Sequence, residues 1–324
     1  MRQTLLLLCF FLPLTLAAQG QVADVVAAQS DYQLIFSDEF DQPDGSRPDP
    51  TKWRASTRYS STWNRWISDS PDVAYIQDGS LVCRAIPNPD TSVDNVPMIT
   101  GAVETRGLFS FTYGLVKVRL RTNLLEGNFP AAWMMPQPPC DGWPRGGEID
   151  IFESIDAERV AYHTVHSHWT FDLKHKTDPV SSFSKSNVSV NQWHIYSVEW
   201  LEDRLIFSID SKVIGTYPRS DDEDAIAQGQ WPFNHPFYLI LNQSVGDGSW
   251  GKAADTSQTY ETHFDYIRVY QKLNPDAVID IPNRSNRSVA TNARTYYDLT
   301  GRPVATSRMQ PGIYLNNARK HILK

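Results

Sequence analysis

The feature that most constrains this chain is its rhythm of short alternating runs, each closed by turn residues. The runs are Tyr32–Phe36, Ser80–Ala85, Ala102–Phe111, Leu115–Arg121, Glu148–Glu153, Ala161–His168, His194–Leu201, Arg204–Asp210, Phe237–Gln243 and Phe264–Tyr270. Asp78-Gly79, Glu126-Gly127, Asp141-Gly142 and Gly246-Asp247-Gly248 punctuate them. Side chains of a strand point to opposite faces in turn, so such runs read as half-buried strands. Only Asp221–Gln228 reads as a short helix. Many short strands with almost no helix predict an all-β fold, a sandwich or a barrel.

With 324 residues there is room for one large domain and an appendage. Phe, Trp and Tyr make up 12% of the chain, with 10 Trp among them. About half of these aromatics are expected in the core, since aromatics favour strands. The others offer flat faces on which sugar C–H groups stack. A net charge of −7 argues against a nucleic-acid partner, which Lys and Arg would have to neutralise.

Residues 1–18 read as a secretory signal: Arg2, an apolar stretch from Leu5 to Leu16, then Ala17 and Ala18. The stretch falls short of a spanning helix of about 20 residues, so no stable membrane insertion is expected. Cys9 lacks the small preceding residue of a lipid-attachment site. The chain is therefore expected to be secreted or at the cell surface, and to be a monomer. A disulfide between Cys83 and Cys140 is left open by the pattern. Composition turns polar after Leu273, which divides the chain into a catalytic domain at 30–272, a linker at 273–288 and a small β tail at 289–324.

Chemistry concentrates in Gly146-Gly147-Glu148-Ile149-Asp150-Ile151-Phe152-Glu153. Alternation puts Glu148 and Asp150 on one face, with Ile149 and Ile151 on the other. Glu153 would point away, unless one extra residue between Asp150 and Glu153 forms a β-bulge and returns it to the same side. Two carboxylates facing a glycosidic bond at about 5–5.5 Å can act as nucleophile and proton donor. Asp150 between them would raise a neighbour's pKa or share a proton. A merely solvated strand face is the bland alternative, but acids are poor strand formers and here they punctuate Ile, Ile and Phe.

This run resembles glycoside hydrolase family 16, whose hallmark Glu-x-Asp-x-x-Glu is met by Glu148, Asp150 and Glu153. Similar stretches follow in order over Tyr32 to Gln271: Ser37-Asp38-Glu39-Phe40, Asp78-Gly79-Ser80-Leu81, Tyr113-Gly114, Ala132-Trp133-Met134-Met135-Pro136, Trp143-Pro144 and Phe264-Asp265-Tyr266-Ile267-Arg268-Val269-Tyr270. The resemblance implies a jelly-roll sandwich of two curved antiparallel sheets with a cleft on the concave face. It also implies retaining chemistry, with Glu148 as nucleophile, Asp150 assisting and Glu153 as acid/base. No cofactor is implied for catalysis; a structural calcium on the convex face is, near Glu39, Gly79 and Asp265. The tail is similar to the C-terminal sorting domain of Bacteroidota secretion, in its Pro311-Gly312-Ile313-Tyr314.

Trp133 and Trp143 flank the acids in sequence and are expected as sugar platforms, with the core as the competing place for Trp133. His166 matches a family histidine near the acid/base, and alternation places His168 on its face. A metal site from His163, His166 and His168 is disfavoured, because His163 should face the other way. Asn242 is expected to reach the cleft through its amide.

The polysaccharide substrate is read from two stretches. Trp143-Pro144-Arg145-Gly146-Gly147-Glu148 and Trp231-Pro232-Phe233 resemble the branch that cuts β-1,3- and mixed-linkage β-1,3/1,4-glucans. Asn64, Arg65 and Trp66 depart from that branch, and Arg65 could pair with a sulfate or carboxylate. A sulfated galactan such as porphyran, or agarose, is the alternative. A non-catalytic lectin on the same sandwich would not need all three acids, and a protein-only adhesion role would leave them unexplained.

Overall fold

The computed structural model describes residues 31–273 and four short strands between 296 and 323. Its strands are β1 (Tyr32–Asp38), β2 (Arg54–Ala55), β3 (Ala74–Gln77), β4 (Ser80–Pro87), β5 (Met98–Glu104), β6 (Gly114–Thr122), β7 (Asn128–Pro136), β8 (Glu148–Glu153), β9 (Val160–His166), β10 (Ser182–Ser186), β11 (His194–Trp200), β12 (Arg204–Ile209), β13 (Lys212–Pro218), β14 (Phe237–Val245) and β15 (Tyr260–Lys272). One short helix, α1 (Glu223–Ala227), is capped by the Asp222 carboxylate accepting from the Asp224 N–H. The expected helix is there. The expected strand Ala102–Phe111 is instead β5 up to Glu104 and then a turn, in which the Leu108 and Phe109 N–H groups donate to the Thr105 carbonyl.

Hydrogen bonding runs in the order β10-β9-β8-β7-β14-β5-β4-β15-β6-β11-β12-β13, with β2 beside β5, β3 beside β4 and β1 beside β15. All these pairs are antiparallel. The path folds at β4 and β5 into two leaves that enclose one apolar core. The all-β jelly-roll expectation holds.

Burial follows this layering. In β6, Val116, Val118 and Leu120 point into the core while Lys117, Arg119 and Arg121 face out. Every residue of β14 is buried, because one face packs on the core and the other floors a cleft. Four tryptophans, Trp53, Trp133, Trp200 and Trp231, are buried, and the others stand at the surface or half-buried. Cys83 is buried in β4 and Cys140 is exposed; the two are not paired.

A polar pin crosses the sandwich. The Gln243 amide donates to Asn128 Oδ1 at 2.8 Å, its Oε1 accepts from Thr262 Oγ1 at 2.6 Å, and Asn128 Nδ2 donates to Thr122 Oγ1 at 3.0 Å. It ties β7 and β14 of one leaf to β6 and β15 of the other.

The chain divides between Asn274 and Pro275. In the second unit, β16 (Tyr296–Tyr297), β17 (Pro303–Val304), β18 (Gly312–Asn316) and β19 (Arg319–Leu323) form an antiparallel sheet in the order β17-β16-β18-β19. The signal at 1–18 and the linker past Leu273 lie outside the described residues.

Replacing Gln243 with Leu takes the donor from Asn128 Oδ1 and an acceptor from the Thr262 hydroxyl. The expected loss is about 2–4 kcal/mol of folding stability, read from the urea midpoint.

Candidate active site

Gly146 and Gly147 deliver the chain into β8. Gly147 has φ +88°, and a Cβ there would meet Phe233 at 2.8 Å, so only glycine makes this entry. Along β8, Trp133 of β7 pairs with Asp150 and Ala132 with Phe152, which leaves Ile151 without an opposite residue. The same shift appears against β9, between Asp150 and Glu153. This is the bulge that alternation required. Ile149, Ile151 and Phe152 enter the core, while Glu148 and Glu153 line the cleft with Asp150 buried between them.

A histidine braces the bulge. His163 of β9 is buried, lies over Phe207, and donates from Nδ1 to the Ile151 carbonyl at 2.6 Å. A carbonyl only accepts, so Nδ1 carries the proton. Burial pushes this imidazole down to about 4 and keeps it neutral.

Crowding sets the carboxyl protonation. Burial, then the charges of Glu153 and Glu148, holds Asp150 well above the usual carboxylate range. Glu153 is pushed up to about 8, first by burial and then by the charge of Glu148, against a hydrogen bond from Thr164. It therefore carries a proton at neutral pH. Glu148 Oε2 accepts from the Trp143 indole N–H at 2.5 Å. His166 Nε2 lies 3.4 Å from Asp150 Oδ2 and 3.9 Å from Glu148 Oε1.

The acids stand in a cleft of about 1060 Å³. Trp143, Phe171 and His166 wall the Glu148 end; Tyr162, Phe129 and Trp250 wall the Glu153 end. Trp63, Asn64, Tyr59, Tyr238, Glu104 and Arg106 continue the lining over β7, β14 and β5.

Several expected residues sit differently. Trp133 lies in the floor rather than standing up as a platform: it is 6% exposed, edge-on to Trp63, and its indole donates to Asn242 Oδ1 at 2.7 Å. Asn242 is buried, with its amide spent on Trp133 and Ser244, so it orients the floor and does not reach the cleft. Arg65 is not a substrate arginine. Its guanidinium donates to the carbonyls of Thr62, Val245 and Gly246 and lies over Trp66, which packs towards Val245 and Tyr260 outside the cleft. Asp69 is held by Arg47.

His168 starts a turn past β9 and pairs with Asp172 at 2.7 Å, away from His166. The three-histidine metal set does not form. Among the described residues, Glu148, Asp150 and His166 bring ligand atoms within 4.8 Å of one another, and these are the groups at the centre of the site. The calcium set does not fit either. Arg268 binds both Glu39 oxygens, at 2.7 and 2.9 Å, and Arg119 binds Asp265 at 2.5 Å, so arginines already neutralise both carboxylates beside the Gly79 turn.

Trp250, Phe171, Glu104 and Arg106 escaped the sequence reading. Trp250 follows a Gly-Asp-Gly-Ser turn, which masks it as loop; Phe171 lies past the expected end of its strand.

Residues 84–268 match the model of Glycosyl hydrolases family 16. The chain belongs to this family. Keratan-sulfate endo-1,4-beta-galactosidase of Sphingobacterium multivorum is 35% identical over 246 residues, 75% of this chain and 56% of that protein. This chain thus spans little more than half of that relative. Beta-glucanase of Rhodothermus marinus is 29% identical over 253 residues, 74% of this chain and 85% of that protein. The crystal structure of SCLam, a non-specific endo-beta-1,3(4)-glucanase, superposes with a TM-score of 0.65 at 30% identity, covering 75% of this chain and 92% of that one. Family 16 membership and the glucanase relatives support a glycoside hydrolase.

Two outcomes follow from the protonation pattern. Replacing Glu148 with Gln removes the neighbouring charge, so the Glu153 pKa should fall below about 8, read by carboxyl NMR titration against the wild type. The His163 imidazole is neutral when folded and takes up a proton when unfolded, so its contribution to stability declines as pH falls from 6.5 towards 4. His163→Gln should be free of that decline, worth about 2 kcal/mol, in urea unfolding at pH 7 and pH 4.5.

Proposed function

We propose that the chain is a secreted, endo-acting hydrolase that cuts a β-linked polysaccharide with retention of configuration. The observation that carries this is the Ile151 bulge, which turns Glu148 and Glu153 to one side of a single strand. Glu148 attacks the anomeric carbon as the glycosidic C–O bond breaks, and Glu153 gives its proton to the departing oxygen. Water, deprotonated by the same Glu153, then releases the sugar from Glu148. Asp150 and His166 flank Glu148. Cleft residues lie on both sides of β8, so an internal stretch of polymer can cross the acids, which supports endo action.

For the backbone we favour a β-galactan. The galactosidase relative is 35% identical, against 29% and 30% for the two glucanases. A β-1,3- or mixed-linkage glucan is the second reading, supported by the Trp143–Glu148 run and by those glucanases. Secretion rests on the N-terminal pattern and surface display on the tail.

Keratan sulfate, agarose, porphyran, laminarin and mixed-linkage glucan, incubated in parallel, should show internal cuts in a galactan, with the first-formed product in the β-anomeric form by NMR. Oligosaccharides from the glucans alone would transfer the assignment to the second reading, and binding without cleavage would leave a lectin. Glu153→Ala should lower kcat by about 10²–10⁴-fold and flatten the fall in rate that the wild type shows as pH rises through about 8.

A further inference from the structure

The floor of the cleft carries one ordered row of side chains. Arg54 pairs with Glu104, Glu104 with Ile240, Ile240 with Trp133, and Trp133 with Asp150. Residues directly opposite one another share a face, and neighbouring strands lie about 4.8 Å apart. Glu104 is three strands from Asp150, so it stands about 14 Å from the catalytic acids, a few pyranose rings along a bound chain.

Glu104 is 3% exposed, and its Oε1 has no hydrogen-bond partner. Arg106 Nε lies 3.3 Å and Arg54 Nε 3.6 Å from that oxygen. Both guanidinium groups come nearest to it through Nε. One carboxylate between two guanidinium groups leaves an excess of positive charge. Arg106 lines the cleft and Arg54 stands beside it, opposite Glu104, in a chain whose net charge is −7 and whose cleft bears three acids at its other end.

Arg106 is also fixed in place. The Thr105 carbonyl accepts from Leu108 and Phe109, the Thr105 hydroxyl accepts from the Leu239 N–H at 3.0 Å, and Gly107 N–H donates to Gln137 Oε1 at 3.1 Å. A guanidinium carried on backbone held this firmly, and lining the cleft, can meet an anion.

We propose that Arg106 and Arg54, both beside the buried Glu104 carboxylate, form a distal subsite for a sugar bearing a sulfate ester, the two arginines pairing with the sulfate and Glu104 holding them in place. This rests on the reading of the cleft as a glycosidase site. It moves the sulfate contact that the sequence suggested for Arg65 to a different arginine.

The test compares keratan sulfate with the same polymer chemically desulfated. Affinity electrophoresis of the Glu148→Gln protein, which keeps the cleft but should not cut, should show tighter binding of the sulfated form and a preference that shrinks with salt. Adding Arg106→Ala should weaken sulfated binding about tenfold and leave the desulfated form unchanged. Arg106→Lys should fall between, since it keeps charge without the fork. In the active enzyme the loss should appear in KM with kcat little altered.

Equal binding of both polymers, or equal weakening of both by Arg106→Ala, would overturn the subsite. Cleavage of galactan without sulfate preference would also sink it while leaving the hydrolase intact. Sulfate-selective binding that depends on Arg106, with no cleavage of any polymer, would uphold the subsite and remove the hydrolase reading.

Discussion

The hydrogen bond from His163 to the Ile151 carbonyl holds the one irregularity on which the site depends. A regular β8 would send Glu153 into the core, where an unpaired carboxylate is costly, and would turn Phe152 towards the cleft. The bulge exchanges these fates: Ile151 and Phe152 both enter the core, and Glu153 faces the substrate side. An inserted residue leaves a carbonyl without a ladder partner, and a buried neutral imidazole supplies one. Core packing and catalytic geometry are thus set by the same residue.

From that placement the electrostatics follow. Three carboxyl groups on one face of a short strand cannot all ionise in a half-buried cleft, so the most enclosed ones keep protons. The Trp143 indole bonds an oxygen of Glu148, and its ring closes the same end of the cleft with Phe171. Position along β8 therefore gives two identical side chains different surroundings.

The rim is held by a different device. Arg65 bonds three carbonyls, two of them at the end of β14, and Thr62 bonds Asp247 at 2.6 Å. These contacts fasten the loop that carries Trp63 and Asn64 to the loop that carries Trp250. An arginine in a polar loop looks like a ligand contact in one dimension, yet carbonyls at a strand end need donors just as an anion does. The sequence could not tell these uses apart, because two of the three carbonyls that Arg65 bonds lie some 180 residues away. The same holds for Asn242, whose amide is spent on Trp133, and for Glu39 and Asp265, which arginines neutralise.

Periodicity alone was enough to specify the all-β class, the bulge and most of the strands, though not β7, which flanks the acids, because alternation is a local property and the three acids could be reconciled with it in only one way. The order of the leaves, the burial of Trp133, and the joining of Glu104 and Arg106 to the cleft came only with tertiary structure. They depend on register between strands far apart in the chain, and register is fixed by which apolar faces close on a common core rather than by any residue's immediate neighbours.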